Sequence, residues 1–100
     1  MISVKENELN IILNIIKSHV PTVTGLAFGS RISNHHKPYS DLDIAIKTHD
    51  YKSLNFRQLG DIKEAFMTSD LNYRVDVIDY YNTTQQFRKI IDDKNVQIYP

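Results

Sequence analysis

Apolar residues recur at helical spacing at the start of the chain. Leu9, Ile12, Leu13, Ile16 and Val20 form one stripe, widened by Ile11 and Ile15. Positions three and four apart share a helix face, so the spacing predicts a helix over 4–18. Ser3 and Glu6 match a capping box at its start, and Pro21 stops it. Residues 23–28 are a short apolar run between Pro21 and Gly29, which predicts a buried strand. A polar loop follows over 29–38. Residues 40–47 predict a second strand with Leu42, Ile44 and Ile46 on one face and Asp41, Asp43 and Ala45 on the other. The helical period returns over 54–67, with Phe56, Leu59, Ile62 and Phe66 along one side. A third strand spans 73–80, where Val75 and Val77 alternate with Arg74, Asp76 and Ile78. Thr83 and Gln86 open a short helix carrying Phe87, Ile90 and Ile91, and 96–99 close the chain as a last strand.

The order helix, strand, strand, helix, strand, helix, strand predicts the α+β class. A loop of roughly ten residues between the first two strands suits an antiparallel pair. The helix between the second and third allows a crossover. The result is a small mixed β-sheet with helices packed on one face, and carboxylates on the other. One hundred residues suffice for one domain, 1–100, and not for two.

Composition narrows the partners. Twelve Lys and Arg balance twelve Asp and Glu, which argues against a general nucleic-acid binder but not against a nucleotide substrate. There is no cysteine, so disulfides and thiolate zinc sites are excluded. The N-terminus lacks the basic head and apolar core of a signal peptide. No apolar run reaches membrane-spanning length. The expectation is a cytoplasmic protein without membrane contact.

The candidate chemistry lies at the start of the second strand. Asp41 and Asp43 share a face there, with Cα atoms roughly 6.5–7 Å apart. Two carboxylates so close repel each other unless a cation lies between them. The Gly29-Ser30 turn just upstream offers a place for a phosphate. Asp76 sits in the apolar run Val75-Asp76-Val77-Ile78, where an acid rarely lies without a partner. If the second and third strands are neighbours, three acids converge. Such a patch suits two Mg²⁺ ions that share substrate phosphates. Asp79 has the opposite parity and is the weaker candidate. The plainer reading of an Asp-x-Asp pair is a solvated turn or cap, and it is the combination with Gly-Ser and a strand-borne acid that sets this chain apart.

Gly29-Ser30-x10-Asp41-Leu42-Asp43 followed by Asp76 resembles the minimal nucleotidyltransferase (MNT) family of the DNA polymerase β superfamily. The resemblance covers nearly the whole chain and implies a polymerase β-like palm, the nucleotidyltransferase fold. It is strongest toward antitoxin-type members encoded beside a helical HEPN-domain toxin. It implies that Gly29 and Ser30 contact the nucleotide phosphates and that Arg31 approaches the triphosphate. It implies further that Asp41 and Asp43 ligate both metal ions, and that Asp76 ligates one and helps deprotonate the attacking hydroxyl. The implied reaction transfers AMP from ATP to a tyrosine hydroxyl of the toxin, within a hetero-oligomer of the two proteins. Many relatives continue Gly-Ser-Arg with Ala-Arg-Gly, where this chain has Ile32-Ser33-Asn34.

Other residues read as follows. His35 and His36 suit a solvated loop better than a metal site. Arg74 shares parity with Asp76 and is either an ion-pair partner of the acids or a phosphate contact. Tyr39, Tyr80 and Tyr81 suit edge packing or an interface. Two other functions stay open: an antitoxin that neutralises its partner by binding alone, and a transferase acting on a small molecule.

Overall fold

The computed structural model describes residues 4–32 and 40–100. Helix α1 spans Glu6–His19 and leads into strand β1, Val23–Phe28. Strand β2 is Leu42–Thr48, helix α2 Phe56–Met67 and strand β3 Val75–Asp79. Helix α3, Gln85–Asp93, and strand β4, Val96–Tyr99, follow. The strands form one mixed sheet in the order β3-β2-β1-β4. β1 runs antiparallel to both of its neighbours, and β2 and β3 are parallel. The mixed sheet and the element order are those expected from the hydrophobic pattern.

The two crossovers explain where the helices go. α2 carries the chain outward from β2 to β3, and α3 carries it back across the sheet to β4. Parallel crossovers are right-handed, so steps in opposite directions put their helices on opposite faces. α1 and α2 cover one face. A Cβ built on Gly25 of β1 would lie 3.5 Å from Ile16 Cδ1 of α1. α3 adds cover to part of the other face: Phe87 meets Phe28 edge-on at 5.8 Å, and Phe28 pairs with Asp43. Ala45, two residues along from Asp43, is fully buried. Asp43 and Asp76, at the other end of that face, stay partly exposed among the described residues.

Ile12, Ile16, Leu42, Ile44, Ile46, Ile62 and Ile91 are the large side chains wholly removed from solvent. Each contributes about 1.5–3 kcal/mol relative to exposure. Leu42, Ile44 and Ile46 anchor β2 between the layers, which fixes its parity and so the direction of Asp43.

The helix starts differ from the expected ones in detail. α1 begins at Glu6, and it is Glu8, not Glu6, that reaches back, accepting from the Lys5 backbone N–H at 2.9 Å. Ser3 lies outside the described residues. α3 is capped by Thr84 rather than Thr83; its hydroxyl accepts from Phe87 N at 3.1 Å. α2 begins after Asn55, whose side chain accepts from Gln58 N at 2.7 Å. Phe56 is not part of the buried stripe but 94% exposed. At about 100° per residue it stands roughly 120° round the helix from Ile62, and only Leu59, Ile62 and Phe66 face inward.

Candidate active site

β1 is followed by Gly29, whose φ of +83° lies in the left-handed region that favours glycine. A Cβ there would also collide with Asp43 Oδ2. The position therefore needs glycine on two grounds, and the backbone passes against the carboxylate. A short 3-10 turn, Ser30–Ile32, follows, with Ser30 exposed.

Asp43 pairs directly with Asp76 across the parallel β2–β3 ladder. Neighbouring strands lie about 4.8 Å apart, and paired residues share a face. Asp41 precedes β2 by one residue, and the Leu42 N–H donates to the Arg74 carbonyl at 2.9 Å, prolonging the pairing toward it. The structure thus brings Asp41, Asp43 and Asp76 to one patch, as the alternation predicts. Arg74 closes that patch. Its Nε lies 3.5 Å from Asp41 Oδ2 and its Nη2 3.2 Å from Asp76 Oδ2. The ion pair considered for Arg74 is present.

The electrostatics follow from this crowding. Partial burial, then the charges of Asp76 and Asp41, push the Asp43 carboxyl above its usual range, and Arg74 offsets part of this. The hydrogen bond to Asp76, with the charges of the acids, pushes the Arg74 guanidinium up in turn. Three carboxylates in mutual repulsion are the donor chemistry of an oxygen-ligated divalent cation. Among the described residues, however, no three His, Cys, Asp or Glu side chains stand as a ligand set in this conformation. Arg74 would have to turn aside, which its 70% side-chain exposure permits.

Arg31, expected to approach the triphosphate, lies inside the structure. It is buried at 5% exposure. Its Nε donates to the Ser40 carbonyl at 2.9 Å, and its guanidinium lies 3.8 Å from the centre of the Tyr73 ring. The Tyr73 hydroxyl donates to Glu8 at 3.3 Å. Burial, then Glu8, holds the Tyr73 pKa at about 12, so it stays a donor. Arg31 thereby joins the Gly-Ser turn to the residue before Asp41 and the residue before Arg74. Tyr73 carried no sequence signal for this, because its partner is distant in the chain.

Asp79, the weaker candidate, lies on the opposite face. It is buried and accepts from Leu54 N at 2.8 Å. Tyr80 is buried and donates to Asp92 at 2.9 Å, and Tyr81 stacks on it edge-on, which is edge packing. Ser33, Asn34, His35, His36 and Tyr39 lie outside the described residues. Among the described residues no helix is long and apolar enough to cross a membrane.

Residues 10–100 match the family model described as polymerase beta, nucleotidyltransferase. A probable protein adenylyltransferase, MntA, of Haemophilus influenzae is 43% identical over 90 residues, covering 90% of this chain and 77% of the relative. A toxin–antitoxin crystal structure with AMP-PNP has the same fold, with TM-score 0.75 and 20% identity over 91% of this chain and 72% of its own. So does a mutant toxin–antitoxin MntA–HpeT structure, with TM-score 0.74 and 16% identity over 96% of this chain and 73% of its own.

Proposed function

The chain belongs to the polymerase-beta nucleotidyltransferase family, and on that premise we propose that it is a protein adenylyltransferase that silences a toxin partner. The donor is ATP, and the acceptor is a tyrosine hydroxyl on a HEPN-type toxin encoded beside it, in the cytoplasm. The observation that carries this reading is the in-register pair Asp43–Asp76, with Asp41 beside it, at the foot of the Gly29-Ser30 turn. The likeness to a protein adenylyltransferase supports the reaction class.

The chemistry asks mainly for positioning and charge neutralisation. Asp41, Asp43 and Asp76 are the residues that would hold Mg²⁺, two ions in this reading, which supply charge neutralisation at the phosphates. The Gly29 backbone and Ser30 receive the phosphates, and the missing Cβ lets that backbone lie directly against the Asp43 carboxylate. Asp76 takes the proton of the incoming hydroxyl. A bond forms from the tyrosine oxygen to the α-phosphorus, the α–β phosphoanhydride breaks, and pyrophosphate leaves. With Mg²⁺ held by the acids, Arg74 would give up its pairs with Asp41 and Asp76 and would face the phosphates. Arg31 stays inside and keeps the turn and the two strand starts in register.

The test is transfer of label from α-labelled ATP to the protein encoded by the adjacent gene, with Mg²⁺. Labelling that disappears in an Asp41→Asn, Asp43→Asn double variant is expected. No labelling by the well-folded wild type would end the proposal. The second reading is neutralisation by binding alone. It is favoured by the way Arg74 closes the acid patch, and it wins if the double variant still neutralises the toxin as well as the wild type does.

A further inference from the structure

A cleft of about 490 Å³ opens beside Asp76 on the outer side of β3. Phe66, Leu71 and Val75 give it apolar walls, and Met67 stands 82% exposed at its rim. Lys63 places an exposed cation on it, and the paired Arg74 and Asp76 line its inner end. β3 is an edge strand of the sheet, and such an edge is a template for an extended segment.

The position of the cleft relative to the phosphate turn matters most. Reading across the sheet, the cleft lies beyond β3, the acids lie on β3 and β2, and Gly29 lies at the end of β1. In-line transfer needs the incoming hydroxyl and the leaving pyrophosphate on opposite sides of the reacting phosphorus. With phosphates entering over Gly29 and Ser30, the acceptor approaches from the β3 side, where this cleft meets Asp76.

We propose that the cleft receives the acceptor: a tyrosine on an exposed, acidic segment of the partner protein. The ring rests on Phe66, Met67 and Leu71, and the hydroxyl meets Asp76. A tyrosine buries roughly 150–250 Å² in such a setting. Lys63, exposed at the cleft, selects an acidic residue flanking it by charge complementarity. This inference rests on the transferase reading above.

Met67→Glu and Lys63→Glu test it, since both residues are exposed and neither variant disturbs the core. Transfer to the partner from α-labelled ATP would be measured beside affinity for a fluorescent ATP analogue with Mg²⁺. The expected result is a fall of at least about tenfold in kcat/KM for the partner, with nucleotide affinity within about twofold, and near-normal transfer by Lys63→Arg. If the wild type transfers label and both glutamate variants match it within about twofold, the cleft is not the acceptor site and the transferase reading survives. If nucleotide affinity falls in step with transfer, the cleft holds the nucleotide instead. If the wild type transfers nothing to the partner, the transferase reading fails and the acceptor assignment fails with it.

Discussion

Gly29→Ala separates stability from catalysis at one atom. The backbone at this position has φ of +83°, and a left-handed conformation costs an L-residue about 1–2 kcal/mol. In a domain of this size each kcal/mol lowers Tm by about 4–8 °C, so the variant should melt roughly 4–16 °C below wild type. A domain with a typical stability of about 5–15 kcal/mol stays folded at 25 °C after that loss. The second effect is local. The new methyl collides with Asp43 Oδ2, so either the carboxylate turns away or the end of β1 shifts, by on the order of 1 Å. A displacement of that size in a reacting constellation costs about 100-fold in rate. The assay is transfer of label from ATP to the partner at 25 °C, beside a thermal melt and a circular dichroism spectrum. A folded Gly29→Ala protein with transfer within about threefold of wild type would refute the close approach of backbone to carboxylate. An unchanged Tm would refute the left-handed turn.

Three further outcomes follow from the same geometry. Because Asp43 is pushed above its usual value of 3.8, the folded chain holds this proton more tightly than the unfolded chain. The resulting stability is fully present below pH 3.8 and is lost as pH rises through the raised folded value. Asp43→Asn should therefore melt at or above wild type at pH 7 in chelator, with the gap closing on acidification; a lower melting point at pH 7 contradicts the crowding. Arg74→Ala removes the cation bridging Asp41 and Asp76, so calorimetry should show Mg²⁺ binding more tightly than to wild type. Weaker binding would mean the guanidinium does not compete for the acids. Arg31→Ala loses a charge-assisted hydrogen bond of about 1.5–3 kcal/mol and a desolvated contact with Tyr73 of about 1–2 kcal/mol. Urea unfolding should show a loss of about 2.5–5 kcal/mol, and a change under about 1 kcal/mol would show the burial to be incidental.

Much of this was legible along the chain. Strands 23–28 and 96–99 appear at the expected bounds. The first is framed by Pro21 and Gly29, which end regular structure through their own backbone limits. The shared face of Asp41 and Asp43 needed only the two-residue period of a strand. Register between segments is different. That Asp76 falls opposite Asp43, rather than one residue along, depends on how Val75 and Val77 pack with Leu42 and Ile44, and a one-residue slip would turn the acid to the other face. The inward course of Arg31 is equally a tertiary result. A guanidinium reads as a solvent group until Tyr73 and the Ser40 carbonyl replace its water. The sequence by itself determined the period of each segment and the presence of three acids, because backbone sterics act between near neighbours. Tertiary packing alone decided which acids meet and which cation joins them, because those depend on burying surfaces that lie far apart in the chain.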